Sequence, residues 1–264
     1  MSDPLLYVAA GLLVGVMIGL TGVGGGSLMT PILVLLFGQS PSVAVGTDLV
    51  FAATTKLAAT ASFGHSRRVD WRIVGRLALG SIPGAAAVLV WFWLTRRAPG
   101  GVDQVIEHWL AAMLVITAFG LLLQNLLKRL GLRVTAASLE RAERWKPALT
   151  VATGLVLGVA VTLTSVGAGA LGTVALLYLY PLRLTADRLV ATDIAHALPV
   201  TILAGIGHAS LGHVNLPVLG CLLLGSIPGV LIASRTAIRL PQAITRTLIA
   251  IMLAVVGGRM LLAG

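Results

Sequence analysis

Residues 4–37 are apolar for longer than one membrane crossing needs and for less than two crossings would take. As one helix rising about 1.5 Å per residue they would measure about 50 Å, against a hydrocarbon core of about 30 Å. The run is interrupted by TGVGGG at residues 21–26. The piece beyond the interruption, residues 28–37, would extend only about 15 Å as helix. A second run, residues 148–180, is broken in the same way by TSVGAG at 164–169. Glycine carries an entropic penalty inside a helix, so each break ends one half-helix and starts another. A helical hairpin that enters and leaves the bilayer on one side satisfies both lengths.

A bilayer is the right solvent for these runs. Of 264 residues, 57% are hydrophobic and 11% charged, where a soluble domain carries about 25% charged. The ten-residue alternation of an outer-membrane barrel is missing. The formal charge of +10 sits mainly between the apolar runs, which points to topology and not to nucleic acid. MSDP precedes the first run without a basic segment, so that run reads as a retained helix. Cys221, alone inside an apolar run, offers neither an internal disulfide nor a thiolate cluster.

The chain also repeats itself. VGTDLVFA (45–52) matches VATDIAHA (190–197), GSIPG recurs at 80–84 and 225–229, and RVDW (68–71) matches HVNL (213–216), all at an offset of 145. The glycine breaks match at an offset of 143. Each unit holds one interrupted segment and three uninterrupted ones, about 43–63, 72–95 and 105–127 in the first half and 187–208, 216–235 and 242–263 in the second. The expected fold is an all-α polytopic membrane protein of two repeats, residues 1–127 and 147–264, joined by a basic linker at 128–146. Three crossings per repeat is an odd number, so the repeats are inverted. With the linker cytoplasmic, Arg67, Arg68, Arg72, Arg76, Arg183, Arg188, Arg235, Arg239 and Arg246 lie inside as well, and Arg96 and Arg97 outside. That distribution follows the positive-inside rule and places both termini in the periplasm.

Unpaired backbone is tolerated at membrane depth only where it is buried in protein or lines a wet cavity. Transporters use such breaks to aim half-helix N–H groups at anions. The candidate ligand site is therefore the two breaks: Thr21, Gly22, Gly24, Gly25, Gly26 and Ser27 in one, Thr164, Ser165, Gly167 and Gly169 in the other. Close helix packing is the competing use of small residues, and it is the reading for Gly11, Gly15 and Gly19. Lys56 lies deep in its run and supplies a counter-charge; its repeat partner is the uncharged Thr201. Asp48 and Asp193 are repeat equivalents, each following a threonine, Thr47 or Thr192. Intramembrane acids are expensive and usually functional, although a bond to the adjacent hairpin would also keep them. His196 lies one helical turn beyond Asp193, where the pair could relay protons. GAGALG (167–172) fits a dinucleotide fingerprint but has no βαβ context. Ser210 beside His208 and His213 lacks the setting of a serine nucleophile, so no enzyme, metal or cofactor is expected.

GVGGGSLMTPIL, VGTDLVFAATTKLAATASFGH, RVDW and GSIPGA, with their downstream copies, resemble the sulfite exporter TauE/SafE family over nearly the whole chain. The second copy departs from the pattern with Ser165, Ala168 and Ala170 where the first has Gly22, Gly25 and Ser27. The resemblance implies a bacterial inner-membrane permease, by the family's description an exporter, for sulfite, a sulfonate such as sulfoacetate, or another small sulfur anion. With no ATP-binding motif, an ion or proton gradient would drive it. A passive anion channel on the same hairpins is the alternative. A glycine face left exposed would suit a homodimer.

Overall fold

The computed structural model describes residues 3–21, 26–63, 69–95, 103–131, 136–166, 169–180 and 183–235, and most of 250–260. The described chain is helical: α1 (Pro4–Thr21), α2 (Gly26–Leu35), α3 (Pro41–Phe63), α4 (Trp71–Thr95), α5 (Asp103–Gly131), α6 (Ala136–Thr164), α7 (Ala170–Leu179), α8 (Ala186–Ser210) and α9 (Leu216–Arg235). The described residues of 250–260 are helical. Among the described residues, four stretches are long and apolar enough to cross a bilayer: Trp71–Thr95, Trp145–Thr164, Arg188–Ser210 and Leu216–Ala233. The basic linker is largely helical, since α5 runs on to Gly131 and α6 starts at Ala136.

The first long run is described as α1 up to Thr21 and α2 from Gly26, and the second as α6 up to Thr164 and α7 from Ala170. The first break falls at 22–25, outside the described residues. In the second, Ser165 has φ 56° and Gly169 φ 137°, values that end α6 and turn the chain into α7. The far ends of each broken pair meet again. Tyr7, in α1, stacks on Phe37 beyond α2 at 4.1 Å, and Gln39 Nε2 donates to its hydroxyl at 3.4 Å. In the second pair, Thr150 and Tyr180 share a hydroxyl hydrogen bond of 2.8 Å. Tyr7 and Thr150 are 143 residues apart, as are Phe37 and Tyr180.

The tightest crossings join one half of the chain to the other. α1 packs on α9 and α6 on α4. Gly11 and Gly15 lie against the backbone of Leu222 and Ser226, while Gly154 and Gly158 lie against Leu77 and Ser81. A Cβ at any of the four would collide with backbone. Small residues that let two backbones approach are the main device for joining helices in lipid, where apolar burial gives no net drive. The Gly11–Gly15 face is thus filled by α9 of the same chain, which removes it as a surface for a second copy. α4 and α9 each continue through their proline, Pro83 or Pro228, as single helices.

α3 and α8 pack at the centre and run antiparallel, for Gly46 near the start of α3 lies against His208 and His213 at the end of α8. The burial pattern is inside-out. Leu5, Leu13, Leu79, Leu94, Leu216 and Leu224 are exposed, whereas Thr30, Asp48, Lys56, Ser81, Asp193 and His196 are buried. Trp91, Trp93 and Trp109 are also exposed, as suits side chains at a lipid–water boundary. Leu110, Leu114, Leu222 and Phe51 join one apolar cluster, and Val45, Leu49, Val161 and Leu163 another, which walls the polar centre off from lipid.

Candidate functional site

Each short half-helix holds a carboxylate from the helix that follows it. The Thr30 N–H and hydroxyl in α2 both donate to Asp48 Oδ2 of α3, at 3.1 and 2.5 Å. The Thr173 hydroxyl in α7 donates to Asp193 Oδ2 of α8 at 3.2 Å, sharing its proton with the Gly169 carbonyl oxygen. The other oxygen, Asp193 Oδ1, lies where a side chain at Gly172 would otherwise stand. Thr30 and Thr173 are 143 residues apart, and Asp48 and Asp193 145, so the same arrangement is built twice. Hydrogen bonds to a carboxylate are worth about 1.5–3 kcal/mol each. Such bonds offset the several kcal/mol that each buried ion loses on leaving water.

Lys56 stands between the two carboxylates. It interacts electrostatically with both, more strongly with Asp193 than with Asp48. The order follows from geometry. Asp48 lies seven residues into α3 and Asp193 seven into α8, at opposite ends of an antiparallel pair. Lys56, eight residues past Asp48, is about 12 Å further along α3, which puts it between the two carboxylates and nearer the level of Asp193, given Gly46 against His208 and Gly205 against Val50. His196 faces the same ammonium and meets Ser81 of α4 through Nε2 at 2.9 Å. From the turn after α6, Ser165 reaches toward Asp48. Neither Ser165 Oγ nor Asp48 Oδ1 has a hydrogen-bond partner among the described residues. Lys56, Asp48, Asp193, His196 and Ser165 are all at most 4% exposed.

The structure therefore gathers Lys56, Asp48, Asp193, His196 and Ser165 into one buried polar centre. Thr47 and Thr192 follow a different rule. Thr47 Oγ1 accepts the N–H of Asn215 at 3.0 Å, and Thr192 Oγ1 the N–H of Asp70 at 3.1 Å. Each secures the start of α9 or α4, where Asn215 and Asp70 accept N–H groups of the first turn. The Thr164 hydroxyl bonds the Ala160 carbonyl of its own helix, and the Thr201 hydroxyl does likewise with Ala197. Gly22, Gly24, Gly25 and Gly167 lie outside the described residues. For Thr21, Gly26 and Ser27 only the helical backbone is described, at the end of α1 and the start of α2. Thr30 and Ser81 are the additions to the site. The repeat register pairs Thr30 with Thr173, which lies just past the second break.

The remaining polar clusters sit at the two ends of the bundle. Arg183 grips Asp70 through Nη2 at 2.8 Å and Nε at 3.0 Å. At the other end, His208 Nε2 donates to the Thr162 carbonyl at 3.0 Å, which leaves Nδ1 to accept from His213 Nδ1 at 3.4 Å. Partial burial holds the His213 imidazole below the ordinary histidine range, and Asp103 opposes that shift. Among the described residues no group of His, Cys, Asp or Glu is arranged to hold a metal ion.

Charged groups buried inside an apolar-surfaced bundle of whole and broken helices define a multi-pass membrane protein of transporter type. The chain belongs to the sulfite exporter TauE/SafE family, whose model matches residues 7–260. It is 41% identical to the probable membrane transporter protein YjnA of Bacillus subtilis (strain 168) over 232 residues, 88% of this chain and 89% of that one. It is 24% identical to the probable membrane transporter protein YdhB of the same organism over 253 residues, 96% and 98% of the two chains. No solved structure matches the chain.

Proposed function

We propose that this membrane transporter is a secondary transporter of a small sulfur-containing anion, sulfite or an organosulfonate such as sulfoacetate. The substrate sits between the two broken-helix tips, with Lys56 as counter-charge. The observation that carries this reading is the twice-built hydroxyl–carboxylate clamp, Thr30 with Asp48 and Thr173 with Asp193, focused on one buried lysine. The substrate class comes from the family's description. Lys56 offers an anion its charge, Ser165 an unused hydroxyl, and the glycine-rich tips backbone N–H groups.

Two inverted repeats, residues 1–127 and 147–264, give the machine its two faces. The swapped crossings support this: α1 on α9 repeats as α6 on α4, with equivalent glycines against equivalent residues. The meeting of Tyr7 with Phe37 and of Thr150 with Tyr180 supports re-entrant hairpins in both halves. In that topology the linker 128–146 is cytoplasmic and the termini periplasmic, in a bacterial inner membrane. Rocking one half against the other would expose the centre to each side in turn, driven by an ion or proton gradient.

Flux of sulfite and sulfoacetate into proteoliposomes tests the proposal. Saturable flux with counterflow is expected. Flux that never saturates and shows no counterflow marks a passive channel, and no flux of either anion removes the substrate assignment.

A further inference from the structure

The donors an anion would seek at the two half-helices are already taken by the chain's own carboxylates. Asp48 Oδ2 occupies both the N–H and the hydroxyl of Thr30 in α2. Asp193 takes the hydroxyl of Thr173 and fills the space beside Gly172 in the first turn of α7. The Asp48 seat holds a second feature. Its Oδ1 and the hydroxyl of Ser165 are buried and turned toward each other, without a well-formed hydrogen bond to any described residue. Ser165 is brought there by a φ of 56°, a region costly for a residue with a side chain. A buried hydroxyl in so poor a contact is under-satisfied, and a bound oxyanion would give it a full hydrogen bond.

We propose that Asp48 is a tethered stand-in for the transported anion, and that a proton exchanges it for the substrate. Protonation of the carboxylate loosens its hold on Thr30. The substrate oxyanion then takes the Thr30 N–H and hydroxyl together with the Ser165 hydroxyl. When the anion leaves, Asp48 gives up its proton and takes the donors back. One monoanion and one proton cross together. One negative charge replaces another beside Lys56, so the cost of burying charge stays level through the exchange. Transport is electroneutral for a monoanion, and its direction follows the anion and proton gradients, not the membrane voltage. This inference rests on the transporter reading above and adds its coupling.

Asp48 shares its surroundings with a second buried acid, Asp193, which the test below separates from it. Among the described residues the charged group facing both Asp48 and Asp193 is Lys56 on α3, and His196 on α8 faces that lysine. α2, α7 and the turn at 165 contribute hydroxyls. α5 and α9 contribute Leu110, Leu114 and Leu222, and α6 contributes Val161 and Leu163.

The test is binding of methanesulfonate, a strong-acid anion of fixed charge, to the purified full-length protein between about pH 4 and pH 8, across the carboxylate and histidine ranges. Proton uptake is recorded with a pH dye. In the wild type the apparent Kd should rise about tenfold per pH unit above the carboxylate's midpoint, with one proton taken up per anion bound. Asp48→Asn should bind with an affinity that varies less than about twofold over the range and should take up no proton, because the side chain is permanently neutral. A pH slope that survives in Asp48→Asn places the proton elsewhere and overturns the proposal. Thr30→Ser should stay within about twofold of wild type and Thr30→Val lose about tenfold, the worth of one hydrogen bond; equal losses in both would contradict the shared seat. Wild-type binding without pH slope or proton uptake defeats the coupling alone. If the wild type binds neither methanesulfonate nor sulfite at any pH, the transporter reading fails and takes this inference with it.

Discussion

The two halves build the same clamp and use it differently. In the first, Thr30 gives Asp48 two donors, and the carboxylate's other oxygen faces an unused serine hydroxyl. In the second, Thr173 shares a single hydroxyl between Asp193 and a carbonyl, and the carboxylate leans on Gly172 and on Lys56. The helix that follows each broken pair, α3 or α8, diverges likewise. His196 of α8 bonds Ser81, whereas its repeat equivalent Phe51 is apolar and the Ser226 hydroxyl has no hydrogen-bond partner among the described residues. Duplication supplied two equal seats. One carboxylate now leans mainly on Lys56, and the other on Thr30 with the Ser165 hydroxyl beside it. Symmetry in such a chain describes the frame, and the chemistry lies in the departures from it.

Breaking the second clamp should cost the most. Asp193→Asn removes the stronger partner of a buried lysine and should lower stability by about 3–5 kcal/mol. Asp48→Asn, which loses hydrogen bonds but leaves Asp193 with Lys56, should cost nearer 1–2 kcal/mol, about one or two bonds. Thermal unfolding in detergent checks the order, and the reverse order would show that Lys56 belongs to Asp48. Next come the swapped crossings. Gly15→Leu and Gly158→Leu each drive a side chain into the backbone of the facing helix and should cost about 1–3 kcal/mol or more. Equal losses in the two would sharpen the case that they are one contact built twice.

Much of this centre is legible in the sequence because a charge inside an apolar run has few other uses. Asp48, Lys56, Asp193 and His196 stand out on that ground alone, and the length of the broken runs gives the half-helices. Thr47 and Thr192 show where adjacency misleads. Consecutive residues on a helix do not share a face, so each threonine beside its aspartate turns away to hold the start of α9 or α4. Ser81 hides in GSIPG, where the proline draws the eye, and only the crossing of α4 with α8 brings it to His196. Ser165 was visible as a member of the break. Its orphaned hydroxyl depends on a backbone angle that no residue pattern encodes.

A smaller effect separates the ends of the bundle from its centre. His213 is held below the ordinary histidine range by partial burial, so the unfolded chain binds its proton more readily than the folded one. Its contribution to stability is complete above about pH 6.5, the unfolded value, and declines as the pH falls through it. His213→Gln should flatten that decline slightly while leaving anion flux at neutral pH near wild type, which a melting series against pH would show.

The central claim is that Lys56 from one half and Asp193 from the other form a single buried centre. A double-mutant cycle on thermal stability tests it directly. Lys56→Met and Asp193→Asn should each destabilise strongly, because each strands the other's charge, while the double variant should recover most of the loss. Losses that simply add would contradict a shared centre and return the two carboxylates to separate structural roles.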